Sequence, residues 1–159
     1  MRAAYYSQNG PADAVLQVGE IDTPTPGPGD VRVRLATSGV NPSDTKARQG
    51  ATRKIAFPLV VPHSDGAGDI DQVGEGVDAA RVGERVWVWD AQWQRPIGTA
   101  GEYTIVAADQ AVALAKGIDF DIGACLGIPA RTARQAVAMS GVGAGSTVLV
   151  SGGEGSVGY

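Results

Sequence analysis

A mainly β protein, with strands arranged as a barrel or sandwich and the beginning of an α/β unit after them, is the fold class three observations predict. Twenty-three glycines and nine prolines punctuate short β-type runs through a chain of 159 residues, which is how a strand-rich fold reads and a helical bundle does not. Val31-Arg32-Val33-Arg34-Leu35-Ala36 alternates apolar with polar positions, the period of a strand buried on one face. Beyond about residue 118 the pattern changes to an alanine-rich helical run, a short apolar run and a glycine turn.

The elements follow in order. Pro24, Pro26 and Pro28 make an extended connection into the strand at 31–36, because proline fixes φ and cannot donate to a ladder. Gly66–Gly74 and Arg85–Trp89 are the next strands, separated by the turn-rich Gly74-Glu75-Gly76-Val77-Asp78, and Glu102–Val106 adds another. Asp119–Ala124 starts a short helix with acidic residues near its N-terminus. Pro129 then precedes Ala130–Met139, a helix that Gly141 ends. Gly143-Ala144-Gly145 leads into a final strand, Thr147-Val148-Leu149-Val150. No internal repeat or low-complexity tract is present.

Composition excludes several function classes. Hydrophobic residues are 43% and charged residues 19%, as in a globular protein, and no apolar run approaches the ~20 residues of a membrane helix. The N-terminus has no apolar h-region of a secretory signal, so a cytoplasmic location is expected. Net charge is −4 with acidic and basic residues interspersed, which points to neither a nucleic-acid nor a membrane partner. Cys125, the single cysteine, can form neither an internal disulfide nor a thiolate metal site.

The final apolar run feeds Ser151-Gly152-Gly153-Glu154-Gly155-Ser156-Val157-Gly158. Glycines at 152, 155 and 158 have the spacing of a dinucleotide-binding turn, where absent side chains let backbone amides approach a pyrophosphate at a helix N-terminus. The sequence stops before such a helix, as the front portion of a larger enzyme would. Glu154 lies inside the turn, where a carboxylate repels phosphate unless it points away.

Several strings before the turn sharpen this reading: Gly39-Val40-Asn41-Pro42-Ser43-Asp44, Pro62-His63-Ser64-Asp65-Gly66-Ala67-Gly68, Val73–Val77, Val82–Val86, Gly101-Glu102-Tyr103 and Leu126–Ala133. In these strings and their order the chain resembles the medium-chain dehydrogenase/reductase superfamily, and within it the zinc-independent quinone oxidoreductases related to zeta-crystallin. The resemblance implies a GroES-like catalytic barrel over residues 1–120, lacking its C-terminal return. It implies, over 121–159, a linker helix with the first strand and glycine turn of a truncated Rossmann domain. It also implies NADPH as cofactor, with NADH left open, a quinone or enone as small-molecule partner, and a homodimer at full length.

Metal chemistry is weighed on the same strings. The zinc-dependent relatives place Cys, His and Cys where this chain has Asn41, Ser64 and Ile128, and a catalytic zinc needs three protein donors with an open fourth position. No zinc is therefore expected, and hydride transfer to an already electrophilic acceptor remains. His63 lies next to the ligand position and reads either as a ligand or as a packed loop histidine. By resemblance, Asn41 and Thr132 flank the nicotinamide as catalytic and cofactor-binding residues, with Gly152, Gly155, Val157 and Gly158 at the pyrophosphate. The other reading of Asn41 is a turn residue before Pro42, and of Thr132 a side chain bonded to its own helix.

Lys46 stands where many quinone reductases carry a tyrosine; it is a candidate proton donor or phosphate ligand, or a solvated charge. Arg48 matches a basic residue of the same segment, and Ser43 is expected to cap the helix begun at Pro42. Asp44 and Asp65 read as structural hydrogen-bonding groups or as acid/base groups. Trp87, Trp89 and Trp93 form an aromatic cluster that suits either a flat acceptor or a core. The functional expectation is NADPH-dependent quinone reduction. Its alternatives are an enone, alkenal or acyl-thioester reductase of the same superfamily, and a non-catalytic truncated module.

Overall fold

The computed structural model describes residues 1–158. Five antiparallel strands form one curled sheet: β3 (Asp30–Gly39), β4 (Asp65–Val73), β5 (Arg85–Val88), β6 (Tyr103–Ala107) and β7 (Ala111–Ala113), in the order β6-β3-β4-β5-β7. A separate ribbon pairs β1 (Arg2–Tyr5) with β2 (Gln17–Glu20), and a one-turn helix, α1 (Ala12–Val15), lies between them in sequence.

Alternation explains the sheet. Val31 and Val33 of β3, Val86 and Val88 of β5 and Val106 of β6 point to one face, meeting Ile70 of β4 in a fully enclosed core. Each such side chain contributes about 1.5–3 kcal/mol through the apolar surface it withdraws from water. Register shifts at Arg32/Val33 and Leu35/Thr37 bend β3 against β4 and curl the sheet toward a barrel. Gly68 sits at the bend against the Arg34 carbonyl, where a Cβ has no room.

The strands expected at 31–36, 66–74, 85–89 and 102–106 are present with shifted ends, and β3 runs three residues further than its alternating core. The pair β1–β2 and β7 lack a sequence signal, being too short to show a period.

Three more α-helices follow among the described residues: α2 (Pro42–Gln49), α3 (Phe120–Gly123) and α4 (Ile128–Ser140), the last ended by Gly141 in the left-handed conformation. The strand expected at Thr147–Val150 is not formed. Those residues join no ladder among the described residues, and Leu149 is almost fully exposed. A strand exists only through its neighbours' hydrogen bonds, and no described residue supplies them to this run. The glycine run forms successive turns, with the Gly155 N–H donating to the Gly152 carbonyl at 2.9 Å and Gly158 to Gly155 at 3.0 Å. No helix follows Gly152 among the described residues.

Candidate active site

The site is built where the ends of β3 and β4 meet the starts of α2 and α4. Pro42 opens α2 with its φ already set for a helix, and Asn41 is the residue before the first turn. Asp44, one turn in, accepts the Asn41 backbone N–H at 2.8 Å, half of a capping box. Ser43 makes no cap bond; it is exposed, which corrects the expectation that it caps this helix. With Asp44 closing the helix start, the Asn41 carboxamide is free for another partner.

That partner is Asp65. Asn41 Nδ2 donates to Asp65 Oδ2 at 2.8 Å, and the Ile128 backbone N–H at the start of α4 donates to the same oxygen at 2.8 Å. Asp65 Oδ1 is buried and has no hydrogen-bond partner among the described residues. It lies so close to Gly127 that a side chain there would collide with it. Burial pushes the Asp65 carboxyl up to about 6, against the opposing pull of the Ile128 and Asn41 donors. Burial likewise raises Asp44, the bond from Asn41 working the other way.

Behind Asp65 runs a polar chain. Thr99 Oγ1 donates to the Asp65 carbonyl at 2.6 Å and lies 2.9 Å from Ser38 Oγ, which is 3.0 Å from His63 Nδ1. His63 is thus a packed loop histidine in the left-handed region, φ 76°, and burial lowers its pKa. No group of three or more His, Cys, Asp or Glu side chains converges on a common point among the described residues.

Three concavities adjoin this centre. A cleft of about 380 Å³ is walled by Ser43, Asp44, Ser64, Asp90, Trp93 and Ile128, a volume within the range of small-molecule sites. Asn41 is buried behind that wall. An open recess along α4, bordered by Arg131 and Thr132, shares Asp90 and Ile128 with the cleft. On its other side the cleft shares Ala47, Arg53 and Trp93 with a third cavity.

The sequence-derived residues divide accordingly. Thr132 is exposed on α4 beside the recess; Asn41 lies at the centre but turned into Asp65; Lys46 is exposed on α2, with no side-chain hydrogen bond or ion pair among the described residues. Gly152, Gly155, Val157 and Gly158 border a separate apolar groove with Val137 and Leu149. The cation at the cleft is Arg53, which carries no signal in sequence because a loop places it there. Arg131 was equally hidden: its guanidinium stacks 4.1 Å over the Trp89 ring and its Nη1 reaches Asp90 at 3.3 Å.

The alcohol dehydrogenase GroES-like domain family matches residues 27–116, which include all five strands of the curled sheet. The chain belongs to that family. This GroES-like chain is 36% identical to a quinone oxidoreductase of Rattus norvegicus, over 99% of its own length and 47% of the relative's. It is 31% identical to an NADPH-dependent alkenal/one oxidoreductase, chloroplastic, of Arabidopsis thaliana, covering 99% of this chain and 42% of that one. A mycobacterial protein solved in complex with NADPH superposes with a TM-score of 0.86 at 28% identity, covering 99% of this chain and 47% of that one. The GroES-like chain therefore spans about half the length of the relatives it matches. Among its described residues no helix is long and apolar enough to cross a membrane.

Proposed function

We propose that the GroES-like chain is the catalytic half of a zinc-independent oxidoreductase that reduces quinones with NADPH. One observation carries the reading. The positions at which zinc-dependent relatives hold their metal carry Asn41, Ser64 and Ile128, and the Asn41 carboxamide and the Ile128 N–H are both spent on one carboxylate oxygen. Amide N–H groups pointing inward at a carboxylate make a closed polar floor and offer a cation no thiolate or imidazole.

NADPH, when bound, supplies a hydride from its nicotinamide; a quinone that takes up this hydride and one proton becomes a hydroquinone, leaving NADP⁺. The chain's own residues supply shape and position. Ser43 and Ser64 place hydroxyls on the cleft wall, where they can donate to an acceptor oxygen as charge develops on it. Arg53 adds positive charge at the same cleft. Thr132, across Asp90 and Ile128 from the cleft, is where the nicotinamide edge would lie, and the glycine turn would meet the pyrophosphate. Asn41 acts through Asp65, fixing the floor beneath the acceptor. Lys46 has no part in this arrangement.

The Arabidopsis thaliana relative favours a second reading, reduction of alkenals and enones in the same cleft. NADPH oxidation by the complete gene product, measured with 1,4-benzoquinone and with a 2-alkenal, separates the two. Faster turnover of the quinone is expected. Faster turnover of the alkenal decides for the second reading, and no turnover with any quinone removes the first.

A further inference from the structure

The cavity on the far side of the cleft is a built chamber of about 320 Å³. Its walls include Tyr6 and Val60 of a second hydrophobic cluster of the fold, with Ile55 and Phe57 packed against that cluster. Core packing thus sets its shape, as rigid preformed sites require.

Polar anchors hold the covering loop. Asn9 Nδ2 donates to the Ala47 and Arg48 carbonyls at 3.0 and 3.1 Å, and Asn9 Oδ1 accepts the Ile55 N–H at 2.9 Å. Arg53 donates to the Gln92 side-chain carbonyl, and Gln92 in turn donates to the Arg95 carbonyl at 3.0 Å, tying the loop to the segment that carries Trp93. That segment is bracketed by two non-glycine residues in the left-handed region, Asp90 at φ 50° and Gln94 at φ 56°. Such conformations cost free energy and persist where the surroundings over-determine them. Here they hold Trp93, a largely exposed side chain, at the junction of cleft and chamber.

Resting on the quinone reading, we infer that the chamber binds an apolar arm on the acceptor, whose ring occupies the cleft beside Ser64 and whose arm passes Ala47, Arg53 and Trp93. The apolar walls favour hydrocarbon over a hydroxylated arm; of the two cations that also line the chamber, Arg53 is bonded to Gln92 and Lys54 is exposed, and Trp93 stands where ring and arm join. No carboxylate lines the chamber among the described residues, so a cationic arm has no partner there.

The test is a series of 2-alkyl-1,4-naphthoquinones, methyl to hexyl, titrated into the complete gene product by quenching of tryptophan fluorescence and assayed for turnover with NADPH. Affinity should tighten about fourfold per added methylene until the chamber is full, the ratio that follows from burying one CH₂. Ala56, an exposed residue on the chamber's rim, is the place to block it. Ala56→Trp should flatten the chain-length series and leave the methyl compound's affinity unchanged. A flat series in the wild-type protein, or a series that Ala56→Trp leaves intact, overturns the chamber. Turnover without length dependence overturns it while keeping the quinone reading; length-dependent, Ala56→Trp-sensitive binding without turnover removes the quinone reading and keeps the chamber.

Discussion

Asn41 and Asp65 are joined by a 2.8 Å hydrogen bond in which one carboxylate oxygen accepts two donors and the other, equally buried, accepts none. The pair ties the start of α2 to β4, and through the Ile128 N–H to α4, so the local chemistry of one carboxyl group holds three elements around the cleft.

Removing that carboxyl strands its donors. Asp65→Ala leaves the Asn41 carboxamide and the Ile128 N–H buried without partners, each costing about 1–3 kcal/mol. A large fall in the urea midpoint is expected. Asp65→Asn keeps an acceptor oxygen for both donors and removes a buried charge, so its midpoint at pH 7 should lie far closer to the wild type. Equal losses for the two variants would show that the bonds do not hold the elements together.

The same pair predicts a pH dependence. Burial raises Asp65 above its unfolded value of 3.8, to about 6, so the fold favours the protonated acid. Its favourable contribution is complete below about pH 4 and declines as pH rises through 6. The stability of Asp65→Asn relative to wild type should therefore grow between pH 4 and pH 7, read from urea midpoints at unit intervals. A difference independent of pH contradicts a raised Asp65.

Gly127 lies against Asp65 Oδ1 with no room for a side chain. Gly127→Ala should destabilise the chain by about 1–3 kcal/mol, the ordinary cost of overpacking. The double variant Gly127→Ala with Asp65→Gly should recover part of that loss relative to the sum of the single changes. Strict additivity in thermal denaturation would place the clash elsewhere.

Ile70 sits at the centre of the curled sheet with 1% of its surface exposed. Ile70→Ala should cost about 2–5 kcal/mol, transfer and cavity terms together. Arg131→Ala, which removes an exposed stacking contact and an ion pair, should cost about 1 kcal/mol or less. Chemical denaturation of both variants checks the order; a larger loss for Arg131→Ala would mean that α4 is held chiefly by that side chain.

Residues 1–159 alone should bind NADPH weakly, because the residues after Gly152 form successive turns and not a helix start that would aim N–H groups at a phosphate. Titration of NADPH fluorescence against the purified chain measures this. Saturation at micromolar concentrations would mean that the barrel supplies most of the cofactor's binding.

What the sequence determined by itself is what local period and local chemistry can carry. The alternation at Val31–Ala36 and the valines of β5 made the sheet legible, since a period of two with one apolar face has few other solutions. Pro129 and Gly141 marked the limits of α4 for the same reason: each acts through its own backbone. The family strings identified Asn41, Ser64 and Ile128 as a set. Tertiary structure alone decided what the set does, because a hydrogen bond between residues 24 apart leaves no periodic trace. It turned Asn41 away from the cleft and into Asp65, sent Lys46 to solvent, and brought Arg53 and Trp93 to the cleft through a loop without pattern. It also left Thr147–Val150 unpaired, since β-propensity yields a strand only where a neighbouring strand supplies the ladder.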